Sequence, residues 1–231
     1  MKLISLTILQ KHYMNEAVEK SYEHKIEIAP YGSLSVIKRF LKDDFKVLDI
    51  GCSSGYLGRA CPECKFYGID GNIQSVNEAK NLYVDAKCAD LNNISELPVF
   101  DIQFDAIVYA DVLEHVLYPD QVINHFKKYL KQGGLIIVSL PNIAIWRSRL
   151  NLLLGKFDYT DYGVMDRTHV HLYTFKTASE LLRSCNLTVL HQIGAAYFLG
   201  PLVGLNSLFR NLFSTQIVII ATNDKSNSGL E

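Results

Sequence analysis

Runs of apolar residues alternate with polar, helix-like stretches along the chain from Phe45 onward. The apolar runs predict strands at 45–50, 65–70, 83–90, 104–110, 135–140, 187–193 and 216–221. The run at 135–140 carries no charged residue, which is typical of a strand covered on both faces. Helical periodicity predicts helices at 73–82 and 120–130, the second ending in lysines before Gly133-Gly134. The alternation predicts an α/β fold with a doubly wound, mostly parallel sheet.

Composition narrows the class of protein. The chain has 231 residues, a hydrophobic share of 48% and a formal net charge of -1. These values exclude a wholly disordered chain and argue against a protein that coats nucleic acid, which needs surplus Lys and Arg. The five cysteines are scattered, unlike a secreted disulfide framework. We therefore expect one cytoplasmic domain over 1–231, with no transmembrane segment and with 1–43 as an amphipathic helical lid.

A turn of small residues follows the first predicted strand. Val47–Ile50 runs into Gly51-Cys52-Ser53-Ser54-Gly55 and then into a helix-like segment. Glycines and serines let a ligand approach the backbone, and free N–H groups at a helix start favour a carboxylate or phosphate. Asp70 ends the second strand, where an acidic side chain can bind both hydroxyls of a ribose. The turn and Asp70 together predict that the protein binds a nucleotide-like ligand.

The turn departs from the dinucleotide pattern G-x-G-x-x-G because position 53 is Ser. It resembles instead the first motif of class I S-adenosylmethionine (SAM) methyltransferases, with Ser53 in place of the second glycine. Further segments resemble later motifs of that family: Cys88–Leu91, Phe104–Val108, Asp111–His115 and Leu130–Leu135. The resemblance implies a Rossmann-like sheet of seven strands, the last one antiparallel. It also implies SAM as cofactor and S-adenosylhomocysteine as product.

The resemblance assigns the parts of SAM to particular residues. Asp70 matches the ribose-binding acid and Asp90 the residue that holds the adenine amino group, whereas Asp49 and the turn amides suit the amino-acid end. The full set of expected cofactor-binding residues is Asp49, Gly51, Cys52, Ser53, Gly55, Asp70, Gly71, Asn72, Asp90, Leu91, Asp111 and Val112.

The spacing D-x-x-E-H follows the fourth strand, at Asp111, Glu114 and His115. In a helix these positions would share one face. One role is that of a general base beside the methyl group, with His115, His169 and Glu114 as the expected catalytic residues, and another is merely to shape the cofactor pocket. They could also bind a divalent ion such as Mg or Mn together with His169. No metal site is predicted outright, and Asp111, Glu114, His115 and His169 remain the candidate ligand set.

The segment 142–174 lies between the fifth and sixth strands and is rich in aromatic, acidic and histidine residues. Functional residues collect on such connections, so we expect it to recognise the acceptor. Its D-x-T-H-x-x-x-x-T pattern, from Asp166 to Thr174, resembles that of bacterial methyltransferases of sugars and envelope glycans. A similar Thr-His step occurs in ubiquinone-pathway O-methyltransferases and in 2′-O-methyltransferases of small-RNA 3′ ends. We predict that the side chains of His115 and His169 lie within about 8 Å of each other, close enough to share a substrate or an ion.

The sequence therefore predicts a SAM-dependent methyltransferase acting on a hydroxyl of a small molecule or glycan. Two alternatives stay open: an RNA 2′-O-methyltransferase, disfavoured by the lack of positive charge, and a non-catalytic SAM-binding regulatory protein. The expected partner is a small-molecule or glycan acceptor, with a lipid-linked acceptor as an alternative. The sequence leaves the oligomeric state open.

Overall fold

The computed structural model describes residues 31–195 and 210–224, which form one seven-stranded sheet with helices on both faces. The strands are β1 Lys46–Ile50, β2 Lys65–Asp70, β3 Asp85–Cys88, β4 Phe104–Ala110, β5 Leu130–Pro141, β6 Thr188–Ala195 and β7 Gln216–Thr222. The helices are α1 Ser33–Lys38, α2 Tyr56–Ala60, α3 Ile73–Ala79, α4 Pro119–Phe126, α5 Trp146–Leu153, α6 Phe175–Ser184 and α7 Arg210–Phe213. Short 3₁₀ turns lie at Ile94–Glu96 and Lys127–Tyr129.

The strand order is β3-β2-β1-β4-β5-β7-β6. Strands β1 to β5 pair in parallel, and β7 lies between β5 and β6, antiparallel to both. The predicted Rossmann-like sheet with an antiparallel last strand is confirmed. The order reverses next to β1, so a crevice for a ligand opens at the carboxyl ends of β1 and β4.

Two apolar layers hold the helices against the sheet. One layer includes Phe104, Ile107 and Phe126, and the other includes Val47, Phe66 and Ile220; all six are almost completely buried. Strand β7 is buried along Ile217–Ala221, as the apolar sequence of that strand predicts.

The connection from α4 to β5 differs from the prediction. The helix ends at Phe126 rather than continuing to residue 130, and β5 already begins at Leu130. Gly133 and Gly134 therefore lie inside a strand and do not stop a helix. Gly133 has φ of +72°, and a Cβ on Gly134 would approach Leu130 to 2.8 Å, so both glycines serve an irregular stretch of sheet.

Helix α1 is the described part of the predicted lid. Its Val36 and Ile37 are buried in the apolar layer that includes Val218 and Ile220, so α1 covers a face of the sheet. Residues 1–30 lie outside the described residues, and the lid remains a prediction. Within the described ranges, no helix is both long and apolar enough to cross a bilayer.

Candidate active site

The turn after β1 has the conformation that its small residues predict. Gly51, Ser53 and Gly55 all have positive φ, at 74°, 45° and 87°. A Cβ on Gly51 would lie 2.3 Å from Val112, so this glycine lets the turn pack against the segment after β4. Ser53 adopts the left-handed conformation although it replaces a glycine of the family motif, and the turn keeps its shape.

Asp70 joins the two loops that border the crevice. One carboxylate oxygen accepts from the Ser53 N–H and the other from the Asn72 N–H, each at 2.8 Å. Each oxygen has a second lone pair for a ligand hydroxyl. Asp70 is half-buried at the end of β2, where an acid that holds a ribose would lie.

Asp49 lies beneath the turn and does not line the crevice directly. Its carboxyl group is 2% exposed and accepts a hydrogen bond of 2.6 Å from the Tyr83 hydroxyl, whose oxygen accepts in turn from the Gly58 N–H. Burial raises the pKa of Asp49 to about 7, the bond from Tyr83 opposes this, and the charge of Asp70 adds to it. Asp49 therefore supports the turn from below, and its expected role at the amino-acid end of SAM stays a prediction.

The remaining residues that are expected to bind the cofactor lie along the same edge of the sheet. Asn72 caps α3 by accepting from the Gln74 and Ser75 N–H groups, and Gly71 is exposed beside it. Asp90 is exposed after β3 and accepts from the Asn92 N–H, with Leu91 half-buried next to it. Cys52 is buried in the turn, and burial strongly raises the pKa of its thiol.

The D-x-x-E-H segment is a turn, so its residues do not share the face of a helix. Asp111 has φ of +54°; its N–H donates to the Ser139 carbonyl and its carboxylate accepts from the Ser139 hydroxyl. These bonds hold Asp111 against β5. The group of side chains whose ligand atoms lie within 4.8 Å of one another is Glu114, His115 and His169, without Asp111.

Glu114 is a buried carboxyl group without a hydrogen-bond partner. The residue is 1% exposed, and among the described residues neither carboxyl oxygen has a partner. Burial raises the pKa of Glu114 well above its usual value, and the neighbouring Asp111 adds to the effect. A buried polar group left unpaired is costly, so this position favours a bound proton donor or cation.

His115 and His169 meet as predicted: their ring centroids lie 4.8 Å apart. The Nδ1 atom of His115 lies 3.2 Å from the Thr168 carbonyl oxygen, and Nδ1 of His169 lies 3.2 Å from the Val164 carbonyl oxygen. A carbonyl oxygen can only accept, so these contacts assign the proton to Nδ1 in both rings. In the neutral form of each ring, the lone pair is then on Nε2.

A tight turn brings His169 to this position. Asp166 accepts from both the N–H and the hydroxyl of Thr168, and the His169 N–H donates to the Asp166 carbonyl. The N–H groups of Val170 and His171 then donate to the Glu114 carbonyl, at 2.8 and 3.1 Å. The segment 166–171 is therefore joined by its backbone to the segment that carries Glu114 and His115. It is irregular, not extended.

Burial and the nearby ring of His169 lower the pKa of His115 below its ordinary 6.5, although the contact with Thr168 opposes this. His115 is therefore neutral at physiological pH and can accept a proton. The donor set also fits a divalent ion: two imidazole nitrogens and an orphaned carboxylate converge, and each imidazole is oriented through its Nδ1 by a backbone carbonyl.

Some residues that complete the site were not predicted from the sequence. Tyr83 under Asp49 and Ser139 beside Asp111 are contributed by distant strands or loops, and no spacing indicates them. Asp166 begins the D-x-T-H pattern, and Asp two residues before Thr is typical of a turn in which the carboxylate accepts a nearby N–H.

Comparison with known proteins gives a consistent result. The family model for a methyltransferase domain matches residues 22–192. Over 168 residues the chain is 30% identical to the ubiquinone biosynthesis O-methyltransferase of Idiomarina loihiensis, covering 69% of this chain and 67% of that protein. It is 29% identical over 156 residues to the protein of the same name from Glaesserella parasuis, covering 61% and 63%. The chain thus spans about two thirds or less of these relatives.

Solved structures share the fold. A SAM-dependent methyltransferase from Aquifex aeolicus superimposes with a TM-score of 0.60 at 16% identity, covering 89% of this chain and 96% of that one. A SAM-dependent methyltransferase from Archaeoglobus fulgidus gives 0.55 at 19% identity, covering 83% and 95%. At these identities the likeness concerns the fold alone.

Proposed function

Because the chain belongs to the class I SAM-dependent methyltransferases, with SAM as its cofactor, we propose that it methylates a hydroxyl group of a small molecule or glycan. The observation that carries the proposal is the pair of histidines with Nε2 lone pairs beside the buried Glu114. The names of the ubiquinone-pathway relatives support O-methylation. A purely regulatory SAM-binding protein would have no use for such a group.

In the proposed reaction the acceptor oxygen forms a bond to the methyl carbon while the carbon–sulfur bond of SAM breaks. SAM supplies the methyl group, activated by its positive sulfur. His115 accepts the hydroxyl proton at Nε2, and its Nδ1–H keeps its bond to the Thr168 carbonyl. The positive charge that arises on His115 would be balanced by Glu114, whose carboxyl oxygens lie close enough to accept a hydrogen bond from the protonated imidazole. Positioning and exclusion of water supply the rest of the rate.

For the cofactor, we propose that Asp70 holds the ribose and that Asp90 and Leu91 border the adenine. The turn amides around Gly51, Ser53 and Gly55 would bind the amino-acid end, and Val112 would pack beneath it. Asp70 faces the crevice at the end of β2, and its two oxygens keep free lone pairs in support of this placement.

Replacing Asp70 by Ala should weaken SAM binding at least tenfold. The change removes two charge-assisted hydrogen bonds to the ribose, each worth roughly 1.5–3 kcal/mol, and the two bonds that join the loops. Titration calorimetry with SAM measures the effect, and Asp101→Ala, at an exposed position, is the control. Unchanged affinity in Asp70→Ala would refute the ribose assignment.

The same group of residues supports a second version in which Glu114, His115 and His169 hold a Mg²⁺ or Mn²⁺ ion. Such an ion would lower the pKa of the acceptor hydroxyl, whereas these residues would orient the ion and the acceptor. The two versions differ under chelation. With EDTA, turnover by a histidine base should persist, whereas turnover that needs the ion should fall at least tenfold and return when Mg²⁺ or Mn²⁺ is added in excess.

A SAM-consumption assay over a panel of sugars, quinols, phenols and RNA 3′ ends tests the proposed function. We expect turnover with a hydroxyl compound other than RNA. Turnover confined to RNA ends would mean that the acceptor is RNA and not a small molecule or glycan. SAM binding without turnover on any acceptor of the panel would favour the regulatory alternative.

A further inference from the structure

A buried tyrosine fills the space that three glycines leave open beneath the turn after β1. A Cβ on Gly58 of α2 would lie 2.4 Å from the Tyr83 ring, and a Cβ on Gly68 of β2 would lie 2.9 Å from it. A Cβ on Gly55, at the end of the turn, would approach the same ring to 3.2 Å. The ring also stacks on Phe66 of β2, with the ring centroids 5.1 Å apart. Tyr83 therefore packs at once against the turn, α2 and β2.

The Tyr83 hydroxyl joins the first turn of α2 to the end of β1. Helix α2 has no side-chain cap at its start, and the N–H of Gly58, its third residue, has no carbonyl within the helix to bond. That N–H donates to the Tyr83 oxygen at 3.3 Å, so the hydroxyl proton is directed to Oδ2 of Asp49, at 2.6 Å. One side chain from the connection between α3 and β3 thus fixes both the orientation of Asp49 and the position of α2.

Asp49 is buried beneath the turn without an ion pair among the described residues. The titratable groups that interact with it belong to Tyr83, to Cys52 of the turn, to Cys61 at the end of α2 and to Asp70 of β2. Lys38 of α1 interacts with Cys61, and its Nζ donates to the Ala60 carbonyl. Because burial raises the pKa of Asp49 to about 7, its carboxyl group holds a proton below that pH in the protein without ligand.

The cofactor brings positive charge to the turn above this carboxyl group. SAM has a positive sulfur, and its amino-acid end, which we place on the turn amides, carries an ammonium group. Where water is excluded, a nearby cation strongly favours the ionised form of a carboxyl group. The hydrogen bond from Tyr83 stabilises the same ionised form. Bound SAM and Tyr83 should therefore act on Asp49 in the same direction.

We propose that Tyr83 is a positioning residue for SAM, which holds Asp49 beneath the turn so that binding of the cationic cofactor releases one proton from Asp49. The inference rests on the proposed function only through the placement of the amino-acid end of SAM, and it is independent of the acceptor. Below pH 7 the free protein binds one proton more than the complex. The affinity for SAM should therefore rise as the pH rises toward 7 and level off above it.

Titration calorimetry of the full chain with SAM, without any acceptor, tests this coupling. Two buffers of different ionisation enthalpy at pH 6 give the number of protons released, which should be close to one per SAM. The affinity should rise about tenfold between pH 5.5 and pH 7. Asp49→Asn should abolish the release and flatten this rise, because an amide does not titrate.

Tyr83→Phe keeps the ring among the glycines and removes only the hydroxyl. It should weaken SAM binding at least fivefold at pH 7, and its affinity should still be rising at pH 7.5, because loss of the hydrogen bond raises the pKa of Asp49 further. The matched control is Tyr109→Phe. Tyr109 is a buried tyrosine of β4 whose hydroxyl has no partner in the described part of the chain, so this variant should bind SAM like the unchanged chain.

Three results would overturn the proposal. The first is an equal loss of affinity in Tyr83→Phe at every pH, since Tyr83 would then only support the fold of the turn. The others are a SAM affinity that stays constant between pH 5.5 and pH 7, and a proton release that Asp49→Asn leaves unchanged. If Tyr83→Phe does not fold, the comparison of the unchanged chain with Asp49→Asn still decides. No methyl transfer is measured in these titrations, so this proposal and the proposed function can fail separately.

Discussion

His115→Ala should lower the methyl-transfer rate by about 10²–10⁴-fold while leaving SAM affinity within about twofold. The reason is that general-base catalysis by a positioned imidazole contributes a factor of this size. His115 is held by the Thr168 carbonyl, and its lowered pKa keeps it neutral and able to accept a proton. Single-turnover kinetics with a reactive acceptor, together with calorimetry for SAM, separate the two quantities.

Two further variants make this prediction specific. His115→Gln keeps a polar side chain but removes the base, so it should be nearly as slow as the alanine variant. His191→Ala, at an exposed position on β6, should keep its rate within about twofold. A His115→Ala enzyme that retains more than a third of the rate would exclude a proton-transfer role, and loss of SAM binding in both His115 variants would assign the residue to the cofactor pocket.

Local sequence patterns were sufficient to predict the framework of strands and the turn after β1. The strand-like segments predicted all seven strands. For the central strands β1, β4, β5 and β7 the reason is that a strand buried on both faces needs apolar residues on both. The turn at 51–55 and Asp70 could be predicted because glycine-like conformations and a strand-end acid follow from local sequence. The proximity of His115 and His169 followed from two segments that leave the carboxyl ends of neighbouring strands β4 and β5.

Features set by tertiary contacts could not be predicted in this way. The turn at 111–115 is held by the bonds between Asp111 and Ser139 on β5, and nothing near Asp111 in sequence indicates that partner. Likewise β5 begins at Leu130 because pairing with Phe104 extends the strand through two glycines that locally resemble a helix stop. In both places contacts with a neighbouring strand override the local conformational preference of the sequence.

Unfolding experiments should show that the protein without ligand loses stability as the pH rises from about 4 to about 7. Asp49 is fully buried and its pKa is raised from 3.8 to about 7, so in this range the folded state holds a proton that the unfolded state has released. Stability from such a group is complete at low pH and is lost as the pH rises through the folded pKa. The full loss is about 4 kcal/mol for Asp49. Asp111 and Glu114, whose pKa values are also raised, add in the same direction, whereas the lowered pKa values of His115 and Asp105 oppose it.

Urea denaturation at several pH values checks the sign and size of the effect. Asp49→Asn should flatten the dependence between pH 4 and pH 7, because an amide does not titrate, while Asp101→Asn at an exposed position should leave the slope unchanged. A profile that rises over this range, or one that Asp49→Asn does not alter, would mean that Asp49 is ionised in the folded protein.

The position of β7 has a consequence for how the chain is made. This strand is the last of the described sheet in sequence, yet it lies between β5 and β6 and is buried along its length. During synthesis β5 and β6 therefore leave the ribosome before the strand that joins them, and each exposes an unpaired edge in the meantime. Until residues 216–222 emerge, the nascent chain has two strands with unpaired, aggregation-prone edges. We therefore expect the newly made protein to aggregate most readily, and to depend most on chaperones, during this interval.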